Sequence, residues 1–190
     1  LAACTDSRDR TAAPPLPAVP VEPEEVISID DSTAEFCELL DAAKCMLPFP
    51  SNFFTRESDS TDNGLLVNFS EQAMPVNASG TVVDRTEWNR NDGFSPGSVM
   101  MTQVPELDMG QNAARRLIDL SDSRQEDSPI VVINAETGER QLIWSELDAN
   151  AVETAEMSLL IRVAKNLQDG QRYIVALRNM KNAAGETIPP

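Results

Sequence analysis

The sequence predicts a mainly β fold, an antiparallel β-sandwich preceded by a disordered, proline-rich tether and a short helix. Three observations carry this expectation. Short segments rich in Val and Ile recur from residue 65 onward, separated by turn residues. Of the 190 residues, 41% are hydrophobic and only 24% charged, enough for one domain with a real core plus some unstructured sequence. The first residues, by contrast, are polar and rich in proline.

In chain order, "TDSRDRTAAPPLPAVPVEPEE" carries five prolines between Pro14 and Pro23, a composition that makes an extended, solvated spacer. Residues 5–29 are therefore expected to be a flexible linker, and 30–190 the β-sandwich domain with a helical or irregular start. In "AEFCELLDAAKC", Phe36, Leu39, Leu40 and Ala43 fall at helical spacing. "LPFPSNFFT" (47–55) is a restricted apolar strip suited to packing across the edge of a domain. "RESDSTDNG" follows as a polar turn; Asp59, Thr61, Asn63 and Gly64 mimic the start of an EF-hand loop, but its twelfth position falls on Ser70. Asx and Ser/Thr turns explain that loop better.

The expected strands are 65–69, 81–84, 98–104, 129–134, 140–147, 157–163 and 172–180. "NAETGER" reads as a hairpin connection with Gly138 available for a positive φ. "GQNAARRLIDLSDS" reads equally as one short helix or a long connection between sheets. Tyr173 opens an alternating strand six residues after Leu167, the arrangement of a tyrosine corner, in which the ring is structural and its hydroxyl bonds backbone. Trp88 and Trp144 are the expected large core or interface groups.

Composition restricts function. With 15 Lys and Arg against 31 Asp and Glu, the formal charge of -16 repels phosphate backbones, so nucleic-acid binding is disfavoured. There is no histidine, so neither a Ser-His-Asp triad nor a His-containing zinc site can be assembled. No apolar run reaches the ~18 residues that span a bilayer.

One stretch does carry an enzyme's pattern. Gly93-Phe94-Ser95-Pro96-Gly97 satisfies G-x-S-x-G, where a serine hydrolase holds its nucleophile. The pattern needs the backbone N–H after the serine for its oxyanion hole, and Pro96 has none. The residues before Gly93 are "TEWNRND", not a buried strand, and no lysine stands at S-x-x-K spacing from Ser95. The stretch reads instead as a structural turn, with Asp92 and Ser95 bonding local backbone, Gly93 and Gly97 supplying conformational freedom, and Phe94 delivered to the core. No catalytic residue, metal site or cofactor is expected in this segment.

Leu1-Ala2-Ala3-Cys4 resembles the lipobox of bacterial lipoprotein signal peptides, in which cleavage precedes a cysteine that is then lipidated. The resemblance implies that 1–4 end a signal peptide, that Cys4 carries lipid, and that the chain is a fragment of a longer envelope protein held to a membrane. Thr5 is not the aspartate associated with inner-membrane retention, so an outer-membrane or cell-surface location is expected. Cys37 and Cys45 then remain as an even pair in an oxidising compartment, where a disulfide is the natural inference. In one straight helix they would stand about 12 Å apart, too far to bridge. The helix must end before Cys45, or both thiols stay free.

"GQRYIVALRNMKNAAGETI" resembles the closing strands of bacterial Ig-like domains. "LPFPSNFFT" with "DGFSPGS" is similar to the N-terminal region of secreted bacterial lipases of the virulence-factor type. These resemblances span roughly 47–190 and imply an Ig-like, noncatalytic module that positions a downstream domain, an α/β-hydrolase of lipase or esterase type, in the parent protein. The alternative is a binding or adhesion module for a surface glycan, a protein or calcium, acting through the acidic loops "ESDSTDN" and "SDSRQED".

Overall fold

A computed structural model describes residues 31–41, 44–112, 120–151, 153 and 156–189. Cys4, the signal-peptide residues and the 5–29 linker lie outside the described residues, as does the middle of the 110–123 connection. The described chain is mainly β. Its seven strands are β1 (Thr55–Glu57), β2 (Leu65–Val67), β3 (Met100–Gln103), β4 (Ile130–Asn134), β5 (Ile143–Leu147), β6 (Ser158–Val163) and β7 (Tyr173–Leu177). They form antiparallel sheets ordered β1-β2, β3-β6-β5 and β4-β7, and no sheet closes on itself.

Two of these sheets enclose the main core. From the three-stranded sheet come Met100, Ile143, Leu159 and Ile161; from the facing pair come Ile130 and Val132, all buried. Register explains the selection: Met100 opposes Ile161, and Ser145 opposes Ile161 from the other side, so alternate residues line one face. The outer face is polar enough for solvent, with Trp144 opposite Arg162, and Arg162 paired to Glu146 at 2.9 Å. Tyr173 and Leu177 pack onto the core from β7.

A second, aromatic core lies under the β1–β2 hairpin. Phe54, Val67, Phe69 and Met74 are buried there, with Phe49 and Phe94 packed against them. Phe49 and Phe94 meet edge to face with centroids 5.3 Å apart, a favoured aromatic arrangement. β2 is paired on both sides: β1 takes one edge, while Asn91 O and the Asn89 side chain serve Val67 and Phe69 on the other. The apolar strip joins the two cores, because Phe49 and Met101 exchange backbone bonds of 2.8 and 2.6 Å along the outer edge of β3. The Leu47-Pro48 and Phe49-Pro50 peptide bonds in that strip are cis.

Several expectations need correction. The short helix near Cys37 is a run of turns followed by a three-residue 3-10 helix, Leu39–Asp41. Its apolar spacing is too short to hold an α-helix against a disulfide that draws Cys37 and Cys45 to a Cα separation of 4.5 Å. The expected strand at 81–84 reduces to a single bridge, Val76 to Val82, in an Asn77-capped turn. β1 occupies the start of the segment read as a polar turn. Trp88 is 46% exposed in a 3-10 turn, and Trp144 lies on the outer face of its sheet, so neither is a core anchor. "NAETGER" does turn the chain at Gly138, φ 72°, but the strands it joins enter different sheets after one bridge, Ile133 to Arg140.

Candidate functional site

The G-x-S-x-G stretch lies in a surface turn that leads into β3. Ser98 N–H donates to Ser95 O at 2.9 Å, closing a four-residue turn with Pro96 and Gly97 at its centre. The Ser95 hydroxyl is exposed and accepts from Gly97 N–H at 3.4 Å. Pro96 O accepts from Leu167 N–H at 3.0 Å, so the turn is tied to the segment after β6. At Gly97 a Cβ would stand 3.0 Å from Oδ1 of the exposed Asn166 side chain. Asp92 contributes its carbonyl to the Asn63 side chain, which links this turn to the β1–β2 loop. Gly93 precedes Phe94, whose ring enters the aromatic core. This arrangement anchors backbone; among the described residues, the group hydrogen-bonded to the Ser95 hydroxyl is the Gly97 N–H.

Tyr173 starts β7, and its hydroxyl accepts the Gln168 backbone N–H at 3.1 Å. The ring packs against the main core while the oxygen holds the loop before it, the division of labour a tyrosine corner requires. Cys37 and Cys45 form a disulfide, and Ser51 donates to Glu38 within the closed segment's neighbourhood at 3.0 Å.

Both acidic loops are held by bonds to backbone and to Ser, Thr and Asn side chains. Between β1 and β2, Ser58 Oγ accepts Ser60 N–H, Asn63 Oδ1 accepts Leu65 N–H, and Thr61 donates to Leu65 O. In "SDSRQED" and the Ser128 that follows it, the carbonyls of Gln125, Glu126 and Ser128 receive the guanidinium groups of Arg140 and Arg178. No group of three or more His, Cys, Asp or Glu side chains suited to a metal occurs among the described residues. Asp84 shows why isolated acids here are turn builders: bonds from the Thr86 hydroxyl and then its backbone N–H hold the carboxyl below its ordinary pKa.

Sequence reasoning passed over one polar cluster. Asn112 is 2% exposed; its amide donates to Asp108 O at 2.6 Å and Lys181 O at 2.8 Å, and its oxygen accepts Lys181 N–H at 2.9 Å. It clips together segments 69 positions apart and borders a shallow groove of 210 Å³ with Asp127, Asn179 and Lys181. No single-residue pattern marks an asparagine for such a role. No helix among the described residues is long and apolar enough to cross a membrane. No family model, curated protein or solved structure matches the chain.

Proposed function

We propose that the chain is a noncatalytic, Ig-like N-terminal module of a bacterial cell-envelope lipoprotein, anchored through Cys4 and positioning a downstream domain of hydrolase type. The noncatalytic half rests on one observation: the Ser95 hydroxyl is engaged by Gly97 N–H in a turn whose next residue, Pro96, has no N–H to stabilise an oxyanion. The Ig-like half is supported by two sheets facing one core and by the Tyr173 hydroxyl bonded to backbone at the start of the closing strand. The envelope half rests on the lipobox resemblance of Leu1-Ala2-Ala3-Cys4 and on the Cys37–Cys45 disulfide, a bond that persists in oxidising compartments.

The test places the chain behind a lipoprotein signal peptide whose cleavage site is its own first four residues, in a Gram-negative host. Palmitate is expected to label the protein and the Cys4→Ala variant is expected to remain unlabelled. Absence of label on the parent chain overturns the anchor. Hydrolysis of a short-chain acyl ester that disappears in Ser95→Ala overturns the noncatalytic assignment.

A further inference from the structure

Asn63 and Gly64 lie in the β1–β2 loop, just before β2, and of the chain's asparagines only Asn63 precedes a glycine. An asparagine side chain can react with the backbone nitrogen of the next residue, and a side chain on that residue is the main hindrance; glycine has none. Asn77, Asn134 and Asn182 share a local geometry with Asn63, each accepting on Oδ1 the N–H two residues on, but an alanine follows each of them. At Asn63 the Leu65 N–H, 2.9 Å from Oδ1, polarises the carbonyl that would be attacked. The residue is exposed, and a Cβ at Gly64 would meet nothing within 4 Å. Two bonds restrain the reaction: the Gly64 N–H donates to Thr61 O at 3.2 Å, and the Asn63 amide donates to Asp92 O at 2.5 Å.

We propose that Asn63 is a site of spontaneous deamidation, gated by opening of the β1–β2 loop, and that its conversion cuts the loop's side-chain tie to the 92–97 turn. Once Gly64 N–H leaves Thr61 O, its nitrogen gives up the proton and bonds Cγ of Asn63. The Cγ–Nδ2 bond breaks, ammonia leaves with that proton, and a cyclic imide remains. Water opens the imide at either carbonyl, to aspartate or isoaspartate, so water alone is consumed and ammonia alone released. The product has an acceptor where Asn63 had a donor, facing the Asp92 carbonyl oxygen, and it adds a negative charge to a loop that already holds Asp59 and Asp62. The tie cannot re-form. Val67 N–H still donates to Asn91 O at 2.9 Å, so the hairpin stays seated and only its loop is released. The fold thus carries a slow, one-way chemical timer, independent of the envelope reading and of Cys4.

The experiment holds the full 190-residue chain folded in mildly alkaline buffer, digests samples in acid at intervals, and weighs each asparagine-containing fragment for the exchange of NH2 for OH. A capped peptide of residues 58–67 is the ungated reference. Asn63 is expected to convert before Asn77, Asn134 and Asn182. It should do so about tenfold more slowly in the folded chain than in the peptide, as for a loop that is open about a tenth of the time. In isotope-labelled chain, Asn63→Asp, which reproduces the aspartate product, is expected to shift the amide NMR signals of Asp92, Gly93 and Phe94 while those of β4 and β7 stay in place. Earlier conversion at an asparagine followed by alanine overturns the site, and so does an Asn63 still intact in the folded chain after about a hundred half-lives of the peptide. Equal rates in chain and peptide overturn the gate. Unmoved signals at 92–94 in Asn63→Asp overturn the cut tie.

Discussion

Asn112 does at the scale of one residue what no apolar side chain could. It supplies two donors and one acceptor to backbone groups of two distant segments from a buried position. Removing it leaves the Lys181 N–H without its partner, while the Asp108 and Lys181 carbonyls each keep one backbone donor, Gln111 N–H and Asp108 N–H, so Asn112→Ala is expected to cost about 1–3 kcal/mol in a denaturant titration. Asn112→Asp should not rescue, since a carboxylate would face two carbonyl oxygens. In the sequence this residue is one polar letter in a loop-like stretch, and its partner stands 69 positions away. Tyr173 was legible for the opposite reason: its partner lies five residues upstream, within local reach.

At the scale of elements, the turn at 92–97 and the strand after it are best understood through Phe94. That ring lies near Phe49 and Phe69, with centroids 5.3 and 6.3 Å away. Phe94→Ala is expected to destabilise by about 2–4 kcal/mol, toward the lower part of the range for buried aromatics because the ring is only half-buried. Ser95→Ala, which loses one long bond on an exposed hydroxyl, should stay within about 1 kcal/mol. Equal losses in the two variants would mean that the serine, not the phenylalanine, is what the turn presents. Strand existence is readable from Val, Ile and Leu at β4 to β7, where both faces or one face must be buried. The 81–84 segment misled because Val82 and Val83 are apolar, yet Val82 is 41% exposed and its bridge to Val76 is capped by Asn77 instead of extended by a neighbour.

For the whole molecule, the dominant long-range term is the net charge of -16. Among the described residues, ion pairs join Glu71 with Arg85, Glu87 with Arg90, Glu139 with Arg124, and Glu146 with Arg162. Such exposed pairs offset little of the repulsion. Raising salt from about 0.01 M to about 0.1 M shortens the Debye length from about 30 Å to about 10 Å. The melting temperature is therefore expected to rise by about 2–4 °C, the change that about 1 kcal/mol produces in a chain of this size. A fall on adding salt would mean that attractive pairs outweigh the excess of acids.

By itself the sequence determined the mainly β class, the positions of most strands, the turn chemistry at Gly138, and, with no histidine in the chain, the exclusion of a histidine-based site. Each of these follows from forces that act within a few residues: side-chain branching, the φ that glycine and proline permit, the donors a residue lacks. Tertiary structure alone decided that "NAETGER" joins two sheets instead of one, that Phe49 closes the edge of β3, that Asn112 bridges Asp108 and Lys181, and that the backbone groups of β7 facing away from β4 have no backbone partner among the described residues. These depend on which distant backbone reaches an unpaired group first, and pairing between remote segments is governed by how whole faces pack, a property no local stretch of residues contains.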